Sequence, residues 1–406
     1  MKRIIKVMTM VILTLINLTG CKNCNQDEPK AKYIFLMIGD GMGHAQIALA
    51  ESYLSYKEGK LGGEQLSFTK FPIYGTCTTH SLDYSVTCSA ASGTAIACGQ
   101  KTYNNFIGVD INEQPLESIA SVLKNEGYKI AITSSVQVNH ATPGSFYAHQ
   151  NDRNNYYEIS SEIPASGYDF FGGSGFYEPR GRQGENREHI DAYIERAGYE
   201  VCYGMTEYNA AKDSTDKIIF IQDSGRKEDT DFYVSNGKEE SDINLGEMLN
   251  LAVEFLGDEE PFFIMCEGGE IDWAGHENKT MEVVRQILDF EKAVNVALDF
   301  YNKHPEETLI IVTADHETGG AVLGQGRKWK PENFRWDLLE AKWRETRGKA
   351  TLSYEENKAL NDSAQIGWTT SNHTGAPVPV FAIGKGAERF QGRIDNSDIK
   401  GKILGE

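Results

Sequence analysis

Short apolar, β-rich runs recur along this chain at residues 33–38, 129–133, 217–221, 261–266, 308–313 and 377–383, and helical patterns at 116–125, 245–256 and 281–302 stand between several of them. Runs this short, with continuous apolar character and turn residues around them, read as strands buried on both faces. Alternation of strand and helix leaves few topologies open, because parallel neighbours need a crossover and a helix is the usual one. The pattern therefore predicts an α/β fold with a large, mostly parallel central sheet flanked by helices on both faces. The 406 residues suffice for one large domain or two smaller ones. Two stretches break the pattern and are expected to be insertions: polar, glycine-rich residues 178–240, and residues 325–365, where Trp329, Trp336 and Trp343 among many charges suggest a helical excursion.

Residues 1–20 carry Lys2, Arg3 and Lys6 ahead of an apolar run at 7–18. That run is shorter than the roughly 20 residues a membrane-spanning helix needs, so it reads as an export signal. The Leu-Thr-Gly-Cys at 18–21 resembles a bacterial lipobox, with Cys21 as the lipid-bearing residue and polar residues 21–30 as a tether. The expectation is an exported protein, periplasmic or at the cell surface, held to a bacterial membrane by a lipid anchor. A formal net charge of −19 repels a nucleic-acid backbone and argues against a polyanion binder. If the substrate is an anion, its positive charge must come from something bound, and metal ions would supply it. With Cys21 set aside, the remaining cysteines show no paired spacing, so neither a zinc knuckle nor a disulfide pattern follows.

The chemistry gathers where predicted strands end. Gly39-Asp40-Gly41-Met42-Gly43-His44 falls short of a dinucleotide fingerprint, because His44 occupies the third glycine position and Asp40 would set a carboxylate against a pyrophosphate. Alone this is a tight turn; in company, Asp40 makes sense as a metal ligand. Glu267, Glu270, Asp272 and His276 follow another strand, and Asp315-His316-Glu317 follows a third. All lie at carboxyl ends of strands, where open α/β sheets bind ligands. Mixed Asp and His sets suit zinc and an oxygen-only set suits magnesium, so two kinds of metal are compatible with these clusters. Ser89 sits in Thr87-Cys88-Ser89-Ala90-Ala91-Ser92-Gly93, whose small side chains let a helix N-terminus come close to an anion. By itself the segment reads as close helix packing.

Taken with His140-Ala141-Thr142-Pro143, Arg153 and His373-Thr374-Gly375, these segments resemble the alkaline phosphatases, in that family's chain order and over residues 40–375. The separation of Thr142 from Arg153 is also the family's. The resemblance implies hydrolysis of small phosphate monoesters to phosphate and an alcohol, through a phosphoserine, at a site with two zinc ions and one magnesium ion. Carried over by motif, Ser89 is the nucleophile and Arg153 grips two phosphate oxygens. Asp272, His276 and His373 would hold one zinc, Asp40, Asp315 and His316 the other, and Asp40, Thr142 and Glu267 the magnesium. A homodimer is implied as well.

Three positions depart from the family pattern. Cys88 stands where many members have an aspartate that orients the arginine, so a looser Arg153 is expected, since a thiol is a weak acceptor. His140, where members have aspartate or histidine, is expected to support the magnesium ligands. Trp273 replaces a lysine or histidine and is expected to stack on the leaving group. Among alternatives, a sulfatase would need Pro and Arg after Cys88, and both are missing. A phosphodiesterase of the same superfamily usually lacks the arginine and the magnesium set. A non-catalytic phosphate- or metal-binding lipoprotein would lack the nucleophile or ligands that are present here.

Overall fold

A computed structural model of the chain describes residues 30–226, 241–324, 333–346 and 352–406. Cys21, the leader and nearly all of the tether lie outside the described residues. One ten-stranded sheet organises the molecule, in the spatial order Gly392–Asp395, Ile73–Thr78, Val378–Gly384, Thr308–Thr313, Tyr33–Gly39, Phe262–Gly268, Lys129–Ser134, Phe170–Gly173, Ile218–Ile221 and Glu200–Tyr203. All neighbours pair in parallel except Val378–Gly384, which runs antiparallel to both of its partners. This is the expected α/β architecture.

The central strands Tyr33–Gly39, Phe262–Gly268 and Thr308–Thr313 are buried along their whole length, as a sheet covered on both faces requires. One covering layer contains Leu245–Leu256 and Thr280–Lys303, which pack on each other and on the central strands. The longer helix buries Val283, Val284, Ile287, Phe290, Val294, Ala297 and Phe300, the three-to-four spacing of one apolar face. At the amino ends of the central strands, Tyr33, Phe35, Phe262 and Phe300 form a ring cluster with centroids 4.9–5.6 Å apart. Burying each such ring contributes about 1.5–3 kcal/mol, so the end opposite the polar residues forms a stiff apolar base.

Within residues 178–240 the chain supplies the two strands at one sheet edge, Ile218–Ile221 and Glu200–Tyr203, with helices Ile190–Arg196 and Gly204–Ala211 beside them. Further along, helices Trp336–Thr346 and Tyr354–Ser363 leave the sheet. There Trp336, Leu339 and Ile366 build a second small core with Leu49, Met281 and Val284. No described helix is long and apolar enough to cross a membrane, and among the described cysteines Cys77, Cys88, Cys98, Cys202 and Cys266 are all free thiols.

Candidate active site

Strand register brings the carboxylates together. Ile38 pairs with Glu267 on one side and Thr313 on the other, so Asp40, Glu267 and Asp315 leave three adjacent strands at one level. The Gly41 N–H donates to Asp315 Oδ1 at 3.2 Å, and the Asp40 N–H to the Gly268 carbonyl at 3.2 Å, which fixes the turn. Gly41 has φ +72°, and a Cβ there would lie 2.9 Å from the Asp272 Cα. The glycine is therefore what lets the next carboxylate segment approach.

All these carboxylates are buried. Burial, followed by the charges of Asp315, Asp272 and Glu267, pushes the Asp40 pKa well up. Burial and then Asp272 push Asp315 up to about 8. Burial pushes Glu267 up to about 7 even though Ser134 donates a hydrogen bond to it. Asp40 Oδ1, Glu267 Oε1 and Asp315 Oδ2 have no hydrogen-bond partner. Buried carboxylate oxygens left this way cost more than the ~1–3 kcal/mol of a neutral group, unless cations meet them.

The imidazoles repeat the signal. The Nδ1 of His276 is 2.7 Å from the Ser371 carbonyl, and that of His373 is 2.8 Å from the Thr87 carbonyl. A carbonyl only accepts, so in each neutral ring Nδ1 carries the hydrogen and Nε2 is bare. Those two bare nitrogens face each other at 3.1 Å, with Asp272 Oδ2 3.3 Å from the first and Oδ1 3.5 Å from the second. Lone pairs opposed at that distance, beside a carboxylate, call for a cation between them. Without one a proton serves: burial lowers the His276 pKa, but the bond to Asp272 outweighs it and carries the value up to about 9. Burial alone would raise Asp272, and hydrogen bonding from His276 with the surrounding imidazoles holds it low instead.

Three groups of side chains could each close on an ion, with one ligand atom per residue lying within 4.8 Å of the others: Asp272, His316 and His373; Asp40, Asp315 and His316; and Asp40, His140 and Glu267. His316 thus belongs to two groups, its ring stacked 3.5 Å from that of His373. Thr142 donates to Asp40 Oδ2 at 3.4 Å, beside the third group. The mixture of imidazole and carboxylate donors, with orphaned oxygens, fits metal ions at this place.

Ser89 is the first residue of helix Ser89–Cys98, and its Oγ stands 3.3 Å from His316 Nε2. The helix is buried throughout. At Gly93 a Cβ would come within 2.8 Å of Ser145 Oγ, so the small residues seat the helix against the turn that carries Thr142. Arg153, half-buried, donates from Nη2 to His140 Nε2 at 3.1 Å. Burial, with Arg153 next, pushes the His140 pKa down to about 3, so its ring is neutral and free to accept.

Cys88 acts elsewhere. Its Sγ accepts the Asn105 N–H at 3.1 Å, while the Asn105 carbonyl accepts the Arg153 N–H at 2.9 Å. The thiol therefore supports the backbone of Arg153, and the guanidinium has His140 as a partner that the sequence reading did not assign. Trp273 stands edge-on to His140, with ring centroids 5.8 Å apart. Sequence reading also passed over Ser134, which bonds Glu267, and Thr318, whose hydroxyl meets both Asp272 and His316. Thr318 lies two residues after His316, so its position in the motif was the available signal.

A metal-binding pocket at the carboxyl edge of a parallel sheet, with a serine on a helix N-terminus at its centre, defines the class as metal-dependent hydrolases. The family model described as alkaline phosphatase matches residues 31–178 and 176–404. The chain belongs to the alkaline phosphatase family and is a phosphatase. Alkaline phosphatase 4 of Bacillus subtilis is 31% identical, with 92% of this chain and 88% of that protein covered. Among solved structures, the alkaline phosphatase of the Antarctic bacterium TAB5 matches with 30% identity and a TM-score of 0.74, over 93% of this chain and 98% of that one. The cold-active enzyme of a Shewanella species matches with 28% identity and a TM-score of 0.75, over 92% and 98%. A histidine-to-aspartate variant of the TAB5 enzyme holds Mg in its M3 site.

Proposed function

We propose that the chain hydrolyses phosphate monoesters through a phosphoserine on Ser89, at a site of two zinc ions and one magnesium ion. The observation that carries this reading is Ser89 Oγ, 3.3 Å from His316 Nε2, at the meeting point of the ligand groups. Asp272, His276 and His373 would hold one zinc, Asp40, Asp315 and His316 the other, and Asp40, Thr142 and Glu267 the magnesium, with His140 beside them. Bound zinc would supply Lewis acidity that makes the Ser89 hydroxyl easier to ionise and neutralises the leaving oxygen.

The chain's own groups do the rest. Ser89 Oγ gives its proton to solvent and bonds to phosphorus as the bond to the alcohol oxygen breaks, and the departing alkoxide takes a proton from solvent. Arg153 pairs two non-bridging oxygens with its planar fork, and the helix N-terminus adds fixed partial positive charge. Water then attacks the phosphoserine, and phosphate leaves as Oγ recovers a proton. Trp273, edge-on to His140, would stack on the leaving group, and Cys88 holds the loop behind the arginine.

Ser89→Ala should lower turnover of an aryl phosphate by roughly 10³-fold or more while zinc and magnesium contents stay as in the parent. Acid quenching of the parent with labelled phosphate should leave label on Ser89; label on another residue overturns the assignment. Comparable rates on an aryl monoester and a diester would favour the phosphodiesterase reading. The same proposal includes export with a lipid on Cys21, read out as loss of detergent-phase partitioning in Cys21→Ser, and a homodimer, read out by light scattering.

A further inference from the structure

Backbone carbonyls set the ring nitrogens of His276 and His373, but for His316 the partner is a side chain. Its Nδ1 lies 3.2 Å from Thr318 Oγ1, and the same hydroxyl is hydrogen-bonded to Asp272 Oδ1. A hydroxyl has a single hydrogen to give, and the Asp272 carboxylate only accepts. That hydrogen therefore goes to Asp272, and toward His316 the oxygen acts as acceptor. Nδ1 must then carry the imidazole hydrogen. Nε2 is left bare where Ser89 Oγ, Asp40 Oδ1 and Asp315 Oδ2 stand 3.3, 3.4 and 3.2 Å away.

We infer that Thr318 is a positioning residue that fixes the His316 tautomer and couples the two proposed zinc sites through one hydroxyl, in the sequence Asp272, Thr318, His316. Its surroundings are built for this. Thr318 is fully buried, its N–H donates to the Gly41 carbonyl at 3.2 Å, and its carbonyl accepts from Gln46 Nε2 at 2.6 Å. Its short strand pairs with His373–Thr374, and Glu317 accepts hydrogen bonds from Gln46 and from Thr374 across that pairing. Room for the side chain comes from two glycines of different motifs. A Cβ on Gly41 would lie 2.8 Å from Thr318 Oγ1, and one on Gly275 would lie 3.1 Å from its Cγ2. The methyl group is packed and the hydroxyl is bonded on both sides, so the two properties separate by substitution: valine keeps the shape, and serine keeps the hydroxyl.

The inference rests on the reading of the site as a zinc site, and its test keeps the two apart. The full chain, its Thr318→Val variant and its Thr318→Ser variant are stripped of metal and titrated with zinc against a competing chelator. Loss of a hydrogen bond that orients a ligand predicts roughly 10–100-fold weaker zinc binding for the valine variant, and the serine variant should stay within about threefold of the parent on the same ground. Independently of any variant, the parent with ¹⁵N-labelled histidine, free of metal, should show His316 protonated on Nδ1. Valine binding zinc as tightly as the parent, or a His316 proton on Nε2, overturns the role of Thr318. If the valine variant does not fold, the ¹⁵N spectrum decides. A parent that binds no zinc overturns the proposed function instead.

Discussion

A thiol and an imidazole divide a task that one carboxylate would be expected to perform. Cys88 holds the Asn105 N–H, Asn105 holds the backbone of Arg153, and His140 meets the guanidinium. Removing the thiol deletes a weak hydrogen bond worth about 0.5–1 kcal/mol, in a loop rather than at the guanidinium. Cys88→Ala should therefore weaken phosphate inhibition by about two- to fivefold with zinc content unchanged, as measured by product inhibition and metal analysis of one preparation. This arrangement was hidden in the sequence for a physical reason: a motif names which residues are present, but not which of two neighbours an arginine side chain turns toward. The carboxylates Asp40, Glu267 and Asp315 were easier to read, because each stands at or just past the end of a strand, whereas Thr142 and His373 were legible only through the family resemblance. Thr318 carries no charge, so charge patterning does not point to it.

At the scale of elements, the helices at Trp336–Thr346 and Tyr354–Ser363 do more than decorate the sheet. Asn357 donates to the Glu277 and Asn278 carbonyls at 2.8 and 2.9 Å, and Asn361 donates to the Asn278 carbonyl at 2.8 Å while accepting from Thr280. Asn278 in turn bonds the carbonyls of Gly275 and Thr370, next to His276 and shortly before His373. Asn361→Ala strands buried polar groups and should cost about 2 kcal/mol in urea unfolding, with faster loss of zinc to a chelator. Exposed Glu355→Ala in the same helix should do neither. Long apolar runs such as those ending at Gly39 and Thr313 were readable as strands. Ile73–Thr78 and Gly392–Asp395 were not, because each is short, contains glycine or polar residues, and borrows its stability from neighbours. The reversal of Val378–Gly384 was equally out of reach, since a period of two is the same in both senses.

For the whole molecule, the pocket of like charges ties stability to metal and to pH. Asp315, pushed up to about 8, and His276, pushed up to about 9, both bind protons more tightly folded than unfolded. Between pH 7 and 9 the metal-free native protein therefore holds more protons than the unfolded chain, and its stability falls as pH rises. His316 and His373 are pushed down by burial, so they are neutral in the native state and oppose the trend only near pH 7, where the unfolded imidazoles still hold some protons. The expected slope is about 1–2 kcal/mol per pH unit, with the partly exposed His276 counting for less than the buried Asp315, read from urea unfolding in the presence of a chelator. With zinc present the trend should flatten or reverse, because ligands release protons to bind it. Zinc at 100 times its dissociation constant should itself add about 2.7 kcal/mol.

The reversed strand Val378–Gly384 has a consequence for how the chain threads its pocket. Val378 pairs with Cys77 and Ala382 with Ile73, so the amino end of this strand lies at the edge where its neighbours finish. Asp40, Glu267 and Asp315 are met on the way out of a strand, but His373 is met on the way in. One turned strand thus lets a segment more than three hundred residues after Asp40 close the ring of candidate ligands from the opposite direction of travel. A ring sewn from both directions cannot be completed by a fragment that stops before residue 373, so tight metal capture reports that nearly the entire chain has been laid into the sheet.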